Sequence, residues 1–91
     1  MNTTEDAKLA RKFLAAADKW NAACANLHAV TKNPTSTDLE KAEALDLWNN
    51  TSSPSKKRKA HAFCAADKVA NSLGLNRCRS LEDMRATLAA A

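Results

Sequence analysis

Glycine occurs once in this chain of 91 residues, tyrosine not at all, and aromatic side chains number four: Phe13, Trp20, Trp48 and Phe63. With one glycine there is no loop of the kind that cradles nucleotide phosphates, and no HExxH pattern offers a metalloprotease site. No apolar run approaches the ~20 residues that span a bilayer. The opening MNTTEDAKLARKF is acidic early and lacks the apolar core of a secretory signal. The expectation is a soluble, intracellular, cytoplasmic protein with no membrane partner. Three cysteines, Cys24, Cys64 and Cys78, are an odd number, which argues against a fully paired disulfide framework and for free or buried thiols.

Alanine and other strong helix formers are abundant, whereas β-branched and aromatic residues are scarce, so an all-α protein is expected. A chain of this length buries roughly 60–65% of the surface its unfolded form exposes, which makes for a small core. Residues 1–91 are read as one domain, a compact bundle of three or four helices with a long N-terminal helix.

The first helix is expected over about 4–31, with Glu5 and Asp6 in its first turn where negative charge is favoured. Its large apolar residues, Leu9, Phe13, Trp20 and Leu27 with Ala16, Ala23 and Val30, step by four and three. That is a heptad seam, to be covered within the chain or across a homodimer. Asn33-Pro34 ends it. A second helix over 38–48 starts at Thr37 with Glu40 three residues on, a capping box, and Leu39, Ala42, Leu45 and Trp48 are its expected inner stripe. A third over 54–73 takes Ser53 as N-cap and Pro54 as first residue, with Phe63, Ala66, Val69, Ala70 and Leu73 facing inward. Gly74 supplies the left-handed residue that stops it. A fourth over 80–90 places Leu81, Met84 and Leu88 inside, with Asp83 completing its cap.

Charge is unevenly spread. Residues 1–50 carry six Lys/Arg and seven Asp/Glu, while residues 51–91 carry eight against three, so the chain's net +4 resides in its C-terminal part. Within TSSPSKKRKAHAFC, residues 51–64, four cations stand together at the start of the third helix: Lys56, Lys57, Arg58 and Lys59. The positive end of the helix macrodipole opposes them. Projecting the inner face of that helix backwards reaches Lys56 and Lys59, so the first turn and a half should stand clear of the core. Free backbone N–H groups and four cations make such an end suited to anions.

The following segment, KVANSLGLNRCRSLEDMRATL over 68–88, resembles a helix-turn-helix, with Ala70 four residues before Gly74 and Leu75 just past the turn. The apolar residue opening its second helix, Leu81, falls one position late, and Glu82 and Asp83 lie at that helix's start. The resemblance implies a second helix in the major groove, with Arg77, Arg79, Ser80 and Arg85 on bases or phosphates.

Cys24 with His28, and His61 with Cys64, share helical faces and form a candidate zinc set only if the two helices bring them together. A thiolate nucleophile needs a cleft and an orienting group that this composition does not offer. The expectation is therefore a non-enzymatic regulator with no cofactor, binding nucleic acid, DNA before RNA, through its basic C-terminal half. The alternative is an adaptor or small inhibitor that docks on an acidic protein surface, such as that of a nucleic-acid-handling enzyme.

Overall fold

The computed structural model describes residues 3–91, and they form four helices with no strand among them: α1 (Thr4–Lys32), α2 (Asp38–Asn49), α3 (Lys56–Ser72) and α4 (Leu81–Ala90). The all-α class and the long first helix are as the composition implied. No helix among the described residues is long and apolar enough to cross a membrane. Packing divides the chain into two units, one of Met1–Ala15 with Pro54–Ala91 and the other of Ala16–Ser53.

In the first unit, α1 contributes Ala7, Ala10, Phe13 and Leu14 to the interior, α3 contributes Ala62, Ala65, Ala66, Val69 and Ala70, and α4 contributes Met84, Thr87 and Leu88. Half of these are alanines, which let helix axes approach closely but each remove little apolar area from water. The larger buried side chains are correspondingly important. Phe13 meets Phe63 edge-on at 6.3 Å between ring centroids. The Arg11 guanidinium donates to the Leu88 carbonyl at 3.2 Å, so α1 also satisfies an acceptor near the end of α4.

The face that α1 buries here coincides only in part with the expected seam, whose Phe13 is inside. Ala7, Ala10 and Leu14 are inside, whereas Leu9 is exposed. The seam departs from the interior at Leu9, where the small Ala7 and Ala10 are buried instead. Leu73 is likewise exposed. The helix has ended before it, at Ser72, and Leu73 is the C-cap at φ −96° and ψ 0°. The Gly74 N–H donates to the Asn71 carbonyl and the Leu75 N–H to the Ala70 carbonyl, a Schellman motif, with Gly74 at φ +70° as expected.

The second unit is a helical hairpin. Trp20 and Trp48 pair at 5.7 Å between ring centroids. Ala17, Ala23 and Ala44 are buried, and Leu27 and Val30 are half-buried. The Asn33 carboxamide oxygen accepts from the Thr35 N–H and hydroxyl, turning the chain after α1. The capping box is present: the Glu40 N–H donates to the Thr37 hydroxyl at 3.1 Å, and the Thr37 N–H donates to the Glu40 carboxylate at 3.3 Å. Leu39 and Leu45, expected inside, are both exposed, and Ala42 is exposed too. The inner residues are Ala44, Trp48 and the buried Thr51, whose hydroxyl donates to the Leu47 carbonyl at 2.7 Å. One indole facing another decides the rotation of this short helix, and the leucines flank it.

Candidate functional site

The start of α3 is built by Ser55. Its hydroxyl accepts from the Arg58 N–H at 3.1 Å, and its carbonyl accepts from the Lys59 N–H at 2.9 Å. The cap is thus Ser55 in place of Ser53, and Pro54 precedes the helix instead of opening it. Both serines carry a capping hydroxyl, so residue type does not choose between them. The shift places Lys56, Lys57, Arg58 and Lys59 in the first helical turn.

The other three helices put acidic residues there: Glu5 and Asp6 in α1, Asp38 and Glu40 in α2, Glu82 and Asp83 in α4. In α3 no acidic residue occupies the first turn. Four cations at the positive end of the macrodipole cost about 0.3–1 kcal/mol each. Residues 55–61 are all exposed and burial begins at Ala62, so this turn stands clear of the interior. Among the described residues none of the four cations is paired with a carboxylate.

Two clefts of the first unit flank this turn. One, of about 390 Å³, is lined by Leu9, Lys12, Phe13, Arg58 and His61. The other, of about 400 Å³, brings Lys59 together with Phe63, Cys64, Asp67, Arg77 and Arg79. The structure therefore adds Lys12 and His61 to the basic surface and gathers Lys59 with Arg77 and Arg79. By sequence, the first unit holds eleven Lys/Arg against five Asp/Glu, while the second holds three against five. The chain's positive charge is a property of one packing unit.

Asp67 organises the connection between α3 and α4. One of its oxygens accepts from the Cys78 N–H at 2.8 Å and the other from the Arg77 Nε at 3.2 Å. Arg77 is 80% exposed, so this pair anchors the side chain without hiding it. Cys78 is buried, with its Sγ 3.4 Å from the Thr87 hydroxyl. Arg79 is exposed, and its backbone N–H donates to the Asp83 carboxylate at 2.9 Å. Ser80 caps α4, accepting from the Asp83 N–H at 3.1 Å, and Arg85 lies exposed on that helix.

The connection runs through the eight residues from Leu73 to Ser80. A helix-turn-helix joins its helices by three or four. The α4 start also presents Glu82 and Asp83 in its first turn. The α3 start and the cleft of Lys59, Arg77 and Arg79 therefore gather more basic side chains than the α4 start does.

Replacing Asp67 with alanine leaves the buried Cys78 N–H without its acceptor and releases Arg77. The expected loss is about 1–3 kcal/mol of unfolding free energy. Asp67→Asn, which keeps an acceptor, should recover part of it. Urea unfolding of the two variants beside the parent checks both values.

Of the candidate metal ligands, Cys24 and His28 belong to the second unit and His61 and Cys64 to the first. Among the described residues no three His, Cys, Asp or Glu side chains cluster so as to hold a metal ion. The α1 seam residues also divide: Phe13 is buried in the first unit, and Trp20 and Leu27 are half-buried in the second. No protein-family model, curated protein or solved structure matches this chain.

Proposed function

We propose that the first unit is a non-enzymatic nucleic-acid-binding module that grips the phosphate backbone with the α3 start and its flanking clefts. The observation that carries this reading is the exposed turn Lys56–Lys59, uncompensated by carboxylates among the described residues, on a unit rich in Lys and Arg. A helix start with cations and free N–H groups suits phosphate oxygens, and contacts of that kind set affinity and register. Duplex DNA is favoured over single-stranded RNA. Single-strand readers stack bases on exposed aromatic side chains, whereas Phe13 is buried here and Phe63 packs against it.

Binding of a mixed-sequence duplex, followed by fluorescence anisotropy, tests the proposal. With four phosphate contacts the log–log slope against salt is about −3.6, so affinity falls on the order of 10²-fold between about 50 and 200 mM salt. Failure to bind at the lower salt rejects nucleic acid and leaves an acidic protein surface as the partner of the same cations.

A further inference from the structure

The outer face of α2 carries an exposed apolar and acidic line. Leu39 is 68% exposed and Leu47 is 49% exposed. Positions 39, 43 and 47 succeed one another at four-residue steps, so Leu39, Glu43 and Leu47 lie along one face of the helix, with Asp46 beside them. Two such faces laid together would set carboxylate against carboxylate. Their complement is a groove with an apolar floor and a basic rim.

The first unit holds that groove. In the cleft of about 390 Å³ between α1 and α3, Leu9 and Phe13 form the apolar part and Lys12, Arg58 and His61 the polar part. We propose that α2 of one copy of this chain docks in this cleft of a second copy. Leu39 or Leu47 lies on Leu9, while Glu43 and Asp46 face Lys12 and Arg58. The inference does not depend on nucleic-acid binding, because it rests on the charge complementarity of two surfaces that the same chain carries. One face of a 12-residue helix covers less than the ~800 Å² per partner of a standard interface, so the association is weak.

Sedimentation equilibrium at low salt tests it. The average mass should rise above the 9.8 kDa of one chain as concentration increases. Leu39→Asp with Leu47→Asp, at exposed positions, should weaken association at least about tenfold with helix content retained. Glu43→Lys with Asp46→Lys should abolish it, and so should Lys12→Glu with Arg58→Glu. Mixing these two charge-reversed proteins should restore association between them. A monomer at every concentration overturns the proposal. So does association indifferent to the α2 substitutions, or a charge-reversed pair that remains monomeric when mixed while both proteins are helical by circular dichroism.

Discussion

Replacing Lys56, Lys57, Arg58 and Lys59 together with alanine is expected to lower duplex affinity on the order of 10³-fold near 50 mM salt, and to flatten the salt dependence by about 3.6 in log–log slope. The same substitution is expected to stabilise the fold. Each cation opposes the macrodipole by about 0.3–1 kcal/mol, and alanine is at least as good a helix former as lysine or arginine. Ser55 keeps its capping bond, because that bond goes to the backbone N–H of residue 58. All four side chains are exposed, so no packing is lost. A net gain of about 1–2 kcal/mol raises the melting temperature by roughly 5–10 °C for a domain of this size.

Opposite signs make this combination informative. A variant that binds poorly because it is damaged would melt earlier, whereas this one should melt later. Calorimetry and anisotropy on the same preparation check both. Unchanged affinity would move the contact surface away from the α3 start. A lowered melting temperature would mean that these cations support the fold.

What the sequence revealed of this arrangement was local. The Thr37–Glu40 box, the Ser80–Asp83 cap and the Gly74 stop each relate residues a few positions apart, and backbone geometry alone joins them. The exposed basic turn was legible too, because a charged residue on the backward projection of a core stripe cannot pack. The inner faces of α1 and α2 were harder to read. Large apolar side chains mark a stripe only when they are what packs, and here Ala7, Ala10 and Ala44 are buried along with Phe13 and Leu14. Leu9, Leu39 and Leu45 then fall outside.

Asp67 was invisible in the sequence for a different reason. Its partners, Arg77 and Cys78, lie ten and eleven residues on, across the turn at Gly74. No helical or strand period relates positions at that spacing. The cleft that joins Lys59 to Arg77 and Arg79 depends on the same non-local geometry, as does the one that adds Lys12 from α1. Charge composition indicated which part of the chain was basic, and only packing could say which cations share a surface.

Met84→Ala is expected to be among the most damaging single core substitutions, costing about 2–5 kcal/mol. Met84 and Val69 are the largest side chains with essentially no solvent exposure. Removing a methionine forfeits its transfer free energy and leaves a cavity whose cost depends on how far the neighbours can move in. In this unit many neighbouring positions on α1 and α3 are alanines. They carry no rotatable side chain to swing into the gap, so closing it requires whole helices to shift, and the value should lie toward the upper end. Small domains have total stabilities of about 5–15 kcal/mol, so the variant loses a large share of its margin. Met84→Leu, which nearly conserves volume, should cost less than about 1.5 kcal/mol. Urea unfolding of both variants checks the contrast. Equal losses for the two would mean that the α4 interface tolerates no change of shape, and a small loss for alanine would mean that α3 and α4 can close on each other despite their alanine surfaces.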